Sequence, residues 1–148
     1  MIRVQAAAFD VGQELARLKG ARKDVGAYAL FVGSVRELSG GAQVEAMTLE
    51  HYPGMTEQAL ADIESEARTR WPLQDVLVIH RFGRLEAGED IVLVITASAH
   101  REAALEACAF LMDWLKTKAP FWKLEQGAKG ESWVAARATD DAAAKRWK

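Results

Sequence analysis

Apolar residues recur along this chain with two alternating periods, and the changes of period divide it into elements. From Val11 to Lys19 the apolar positions Val11, Leu15 and Leu18 fall at helical spacing. Asp10 stands ready to cap that helix and Gly20 to stop it. Ala27 to Val35 is rich in aliphatic, β-branched and aromatic residues, and Val44 to Tyr52 alternates loosely, so each predicts a strand. The Gly40-Gly41 loop between them predicts a hairpin. Pro53-Gly54 breaks the second strand, and Thr56 is placed to cap a second helix. There Leu60, Ile63 and Ala67 recur at helical spacing as far as Trp71-Pro72.

Val76 to His80 and Ile91 to Ala97 are continuous apolar runs joined by a turn-rich stretch from Gly83 to Asp90, the pattern of a second hairpin. Ser98 is expected to open a third helix. Its early turns carry Glu102 and Glu106 and its end carries Lys116 and Lys118, which complements the helix dipole. Pro120 ends it, because the residue before a proline is driven out of the helical region. A strand around Ser132 to Ala136 and a short tail from Asp140 to Lys145 complete the chain. Strands and helices do not alternate strictly, so the pattern predicts an α+β fold with a largely antiparallel sheet and about three main helices.

Length and charge narrow the function classes. A chain of 148 residues, half of them hydrophobic, buries one core and is read as a single domain over 1–148. Its net charge of −2 provides no global field toward nucleic acid or an anionic membrane. No apolar run approaches the roughly 20 residues of a spanning helix, and the start lacks the apolar core of a signal peptide. A soluble, cytoplasmic protein is expected. The lone Cys108 cannot form an internal disulfide, and no Cys/His cluster has metal-site spacing, so neither a metal nor another cofactor is expected.

The densest chemical signal is Lys116-Thr-Lys-Ala-Pro-Phe-Trp-Lys123. One lysine ends a helix, and another begins an extended segment past a proline reversal, so both amines can face one pocket. Lysine supplies a point charge for phosphate or carboxylate and, when partly desolvated, a base or nucleophile. The plainer alternative is that Lys116 complements the helix end while Phe121 and Trp122 fill the core. Arg36 ends a strand before a Gly-rich loop, where a guanidinium can fork onto an oxyanion or simply be solvated. Ser98-Ala-His-Arg101 stands at a helix N-terminus, which favours an anion but also suits a simple cap. His51, in Glu50-His-Tyr-Pro-Gly-Met55, has no second ligand at metal spacing and reads as part of a structural turn. Cys108 lies on a helix face with Leu105, Leu111, Met112 and Leu115 and reads as a small core hydrophobe rather than a sulfur carrier.

Taken together, Val32-Gly-Ser-Val-Arg36, Leu49-Glu-His-Tyr-Pro-Gly-Met-Thr56, Ile79-His-Arg-Phe-Gly-Arg84, Ser98-Ala-His-Arg101 and Leu115-Lys-Thr-Lys-Ala-Pro-Phe-Trp-Lys123 resemble the molybdopterin synthase catalytic subunit family, in its order and at its spacing. The resemblance implies an α/β hammerhead-like fold. It also implies a central homodimer of large subunits within a heterotetramer, with a small ubiquitin-like sulfur-carrier subunit at each end. The carrier's C-terminal Gly-Gly thiocarboxylate would give sulfur to cyclic pyranopterin monophosphate, and two deliveries would make the dithiolene. On this resemblance Lys116 and Lys123 are the catalytic residues. Ser34, Val35, Arg36, His100, Arg101, Leu124, Glu125 and Arg137 are the positions implied around the phosphate and pterin. Ser34 stands where relatives often have a larger or basic residue, and Leu124 where a charged one is common. Two other classes remain: a noncatalytic scaffold that docks a ubiquitin-like protein, and a module that binds a phosphate ligand without a protein partner.

Overall fold

The computed structural model describes residues 1–39, 42–127, 130–133 and 138–147. Two sheets carry the fold. The first has the order β1 (Ile2–Gln5), β5 (Leu73–Arg81), β7 (Asp90–Ser98), β2 (Ala27–Ser34). Only β1 and β5 pair in parallel within it; β5 with β7 and β7 with β2 are antiparallel. The second runs β3 (Leu38–Ser39), β4 (Ala42–His51), β8 (Phe121–Gly127), β9 (Gly130–Trp133), with β6 (Gly83–Glu86) also on β4. The helices are α1 (Val11–Lys19), α2 (Met55–Arg70), α3 (Arg101–Lys118) and α4 (Ala138–Lys145). The fold is α+β with mostly antiparallel sheets.

The central strands explain their own sequence. Along the middle of β5 and β7 the side chains alternate between two buried faces, so Val76–Ile79 and Ile91–Ile95 are apolar at every residue rather than at every second one. Val76, Val78, Val92 and Val94 face α2 and α3, where they meet Leu60, Ile63, Phe110, Leu111 and Leu115. Leu77, Ile79, Leu93 and Ile95 face the other way, onto the Val11, Leu15 and Leu18 stripe of α1. Truncating a fully buried ring such as Phe110 to alanine should cost about 3–5 kcal/mol. A smaller cluster of Val35, Val44, Leu49 and Leu85 joins the second sheet to the end of β2.

α1 begins and ends where expected: the Asp10 carboxylate accepts from the Gln13 N–H at 2.8 Å, and Gly20 caps the far end at φ 49°. Other expectations are corrected. Ala27–Ser34 and Ala42–His51 do not pair as a hairpin; β2 pairs with β7 and β4 with β8, so the two strands belong to different sheets. The loop residues Gly40 and Gly41 lie outside the described residues. Thr56 is not the cap of α2 but is buried inside its first turn, where its Oγ1 accepts from the Tyr52 N–H and donates to the Pro120 carbonyl. Ser98 does not open α3; it is the last residue of β7 and donates to the Pro72 carbonyl, while His100 occupies the N-cap. Leu105 leaves the buried face of α3 and is 60% exposed. The connection between β5 and β7 forms the predicted hairpin, but it also contains β6, which crosses to the second sheet and pairs with β4. Among the described residues no helix is long and apolar enough to cross a membrane.

Candidate active site

Lys116 lies exposed in the last turn of α3, whose helical geometry stops at Ala119 with ψ 130°. Pro120 follows, and β8 starts at once with Phe121. The reversal is tied at each residue. The Ala119 N–H reaches the Leu115 carbonyl at 3.3 Å, the Phe121 N–H reaches the Ala119 carbonyl at 3.0 Å, and the Pro120 carbonyl accepts from Thr56 at 3.0 Å. Strand alternation then puts Phe121 and Lys123 on one face of β8, opposite His51 and Leu49 of β4.

That face closes over His80, near the end of β5 and 5% exposed. Its ring stacks on Phe121 with centroids 3.7 Å apart and planes at 19°. His51 lies 6.5 Å from Phe121 and 4.3 Å from Phe82, completing an aromatic floor. Burial pushes the His80 pKa down to about 4; the hydrogen bond to the Arg81 carbonyl opposes the fall, and the individually weaker charges of Lys123, Lys116 and His51 add to it. Both lysines therefore stand within electrostatic reach of one buried imidazole, although seven residues separate them. The proline reversal achieves this, since an unbroken helix would space them by about 10 Å along its axis.

The remaining predicted positions divide by location. Cross-strand register aligns Gly33 of β2, Val92 of β7 and His80 of β5, so Arg36, three residues beyond Gly33, is at the same end of the first sheet as the lysines. Arg36 is exposed. Ser34 donates to the Asp90 carboxylate at 2.7 Å. Val35 is buried, its N–H donating to the Glu89 carbonyl and its own carbonyl accepting from Gly88, so it anchors the backbone beside Arg36. The backbone of Leu124 and Glu125 continues β8, opposite Thr48 and Met47; their side chains and all of Arg137 lie outside the described residues.

His100 and Arg101 are not with this group. They sit exposed at the N-terminal end of α3, about 22 Å along its axis from Lys116. There they line an open pocket with Gly26, Ala27, Ala99 and Glu102. The chain passes so closely that a Cβ on Gly26 would lie 2.1 Å from the Ala99 carbonyl oxygen. Cys108 is buried in the core, and burial raises its thiol to about 11, which keeps it protonated and unreactive. Among the described residues no group of three or more His, Cys, Asp or Glu side chains could hold a metal. Sequence reading gave no role to His80; its one signal was a histidine closing an otherwise apolar strand.

An α+β scaffold that brings two lysines to a shared buried floor defines the class of site. The family model described as MoaE protein matches residues 4–118. The molybdopterin synthase catalytic subunit of Pseudomonas aeruginosa is 58% identical over 146 residues, covering 99% of this chain and 97% of that protein. The subunit of the same name from Ralstonia nicotianae is 56% identical over 146 residues, covering 99% and 83%. The solved molybdopterin biosynthesis MoaE protein from Burkholderia ambifaria matches with a TM-score of 0.85 at 52% identity, covering 99% of this chain and 97% of that one. The chain belongs to the MoaE protein family.

Proposed function

We propose that this protein is the catalytic subunit of a cytoplasmic molybdopterin synthase. It moves sulfur from the C-terminal thiocarboxylate of a small carrier subunit to cyclic pyranopterin monophosphate. What supports this reading is that Lys116 and Lys123 both act electrostatically on the buried His80 ring, which stacks on Phe121, in a chain of this family. The substrates are anionic; attack by the thiocarboxylate sulfur joins carrier and pterin as a thioester, and water then cleaves its acyl–sulfur bond, leaving sulfur on the pterin and releasing the carrier as a carboxylate. One ammonium neutralises the tail and polarises its carbonyl; the other moves protons as sulfur attacks the pterin. Arg36, at the same end of the sheet, supplies a forked donor for the phosphate. Sulfur arrives with the carrier, so no catalytic cysteine is needed, in keeping with the buried Cys108.

His100 and Arg101 enter this site from a second copy of the chain. Within one chain the length of α3 keeps them from the lysines. β2 is an end strand of its sheet, and Leu30, Phe31 and Val32 on it are 38%, 40% and 37% exposed. β2 runs from the His100 end of the sheet to the Arg36 end. Two-fold, antiparallel apposition of two such strands brings the His100 end of one copy to the Arg36 end of the other.

Incubating the protein with thiocarboxylated carrier and cyclic pyranopterin monophosphate, and following the dithiolene product by mass spectrometry, tests the reaction. Product is expected only when all three are present. Carrier binding without product returns the scaffold reading, and substrate binding unaffected by carrier returns the ligand-module reading. Mixing Lys116→Ala with Arg101→Ala protein tests the shared site. Mixed dimers hold one intact site, so at substrate concentrations too low to saturate the Arg101→Ala protein activity should rise above that of either variant alone; no rise would place both residues in one chain's site.

A further inference from the structure

His80 is a buried titratable group to which the sulfur-transfer reading assigns no task. Its Nδ1 lies 2.8 Å from the Arg81 carbonyl oxygen, and a carbonyl can only accept, so Nδ1 carries the hydrogen and the neutral ring leaves Nε2 bare. Arg81 is itself fixed, its guanidinium donating to the Ala6 carbonyl at 3.2 and 3.1 Å and to the Asp90 carbonyl at 3.1 Å. The imidazole is thus held at its edge by a rigid strand end and presents its face to Phe121. Phe121 follows Pro120 directly and shares its strand face with Lys123.

We propose that His80 is the positioning residue of the lysine pair: its ring is the seat on which Phe121 stacks, and that stack sets where β8 begins and so where Lys123 stands relative to Lys116. The inference rests on the lysine reading above. Thr56 already ties the Pro120 carbonyl, so the backbone and the side chain on the two sides of the turn are each clamped, one by α2 and one by β5. Histidine does what phenylalanine would do only in part. It offers a flat face of similar size and an edge donor for the Arg81 carbonyl that stops the ring from turning. Lys116 from α3, Lys123 from β8, His51 from β4 and the burial itself all keep the ring uncharged, so the floor adds no third cation beneath the two ammoniums.

Three variants separate the stack from the hydrogen bond. His80→Phe keeps the ring, His80→Gln keeps a donor without a ring, and His80→Ala keeps neither. The first readout needs no turnover. It is the rate at which a water-soluble acetylating ester labels Lys116 and Lys123, measured by peptide mass spectrometry against the exposed Lys19 and Lys145. The ratio of Lys123 to Lys116 labelling should shift by about threefold or more in the Gln and Ala variants and stay near the parent value in the Phe variant. The second readout is single-turnover sulfur transfer with thiocarboxylated carrier. The rate at saturation should fall about tenfold or more in Gln and Ala with carrier affinity nearly unchanged, and His80→Phe should recover most of it.

Parent-like labelling in the Gln variant overturns the proposal, as does a Phe variant that behaves like Gln. If His80→Ala does not fold, the Gln and Phe pair still decides. If the parent protein makes no product, the sulfur-transfer reading fails, and the labelling ratios alone judge the role of His80.

Discussion

The two ends of α3 carry cations in opposite ways. At the C-terminal end, Lys116 and Lys123 flank a proline reversal and both act electrostatically on the buried His80 ring, and each residue of the turn between them has a hydrogen bond or a ring contact. At the N-terminal end, His100 and Arg101 stand exposed beside an open pocket, on a helix whose cap makes no side-chain hydrogen bond. The first arrangement fixes geometry, as chemistry at a reacting bond requires. The second supplies charge and free N–H groups, which is enough to hold a phosphate. In the proposed reading the same helix separates a site for transforming from a site for holding, and a second copy of the chain reunites them.

The largest test of that contrast is removal of either amine at the buried end. Lys116→Ala and Lys123→Ala should each lower the single-turnover rate by about 10²–10⁴-fold, the range of a lost proton-transfer group, with thermal unfolding little changed. Full activity in both variants would remove the distinction between the two ends.

Next in size is a pH effect confined to the buried end. His80 titrates near 4 when folded and near its ordinary 6.5 when unfolded, so the unfolded chain takes up the proton first as pH falls. Its contribution to stability is complete above about 6.5 and is lost progressively as pH drops through 4. The size is about 3 kcal/mol for a shift from 6.5 to about 4. The charges of Lys123, Lys116 and His51 all oppose its protonation. Denaturant titrations at several pH values should show this slope in the parent and a shallower one in His80→Phe; equal slopes would mean that His80 is not held neutral.

At the holding end, Arg101→Ala should weaken substrate binding by about 1.5–3 kcal/mol, the worth of a charge-assisted hydrogen bond, and Arg36→Ala should do the same. Saturating substrate should then recover most of the rate, because a phosphate clamp acts on ground and transition states alike. A rate collapse at saturation with unchanged binding would make either arginine part of the chemistry. The smallest effect is expected midway along the helix. Cys108→Ser should leave transfer within about twofold and lower stability by about 1–2 kcal/mol, since it places a hydroxyl in an apolar core. Lost transfer in a folded Cys108→Ser protein would mark a sulfur relay.

Much of this was written in local sequence. The helical stripe of Val11, Leu15 and Leu18, the Asp10 cap, the unbroken apolar runs of β5 and β7 and the stop at Pro120 depend on neighbours within a few residues, and all appear where the pattern puts them. The reversal between Lys116 and Lys123 was also legible, because a proline between a helix and a strand ends the helix whatever surrounds it. Strand partners were not. Ala27–Val35 and Val44–Tyr52 look like a hairpin in sequence, yet which strand each pairs with depends on distant segments, β7 for one and β8 for the other. Thr56 and Ser98 resemble helix caps in isolation, but each hydroxyl finds a carbonyl from a distant segment, Pro120 for one and Pro72 for the other. His80 is the clearest case. One residue in a strand says nothing of Phe121, which stacks on it from β8, or of the two lysines, whose charges act on it from β8 and α3 only once both sheets and the helix have packed; tertiary structure alone gives this core histidine those neighbours.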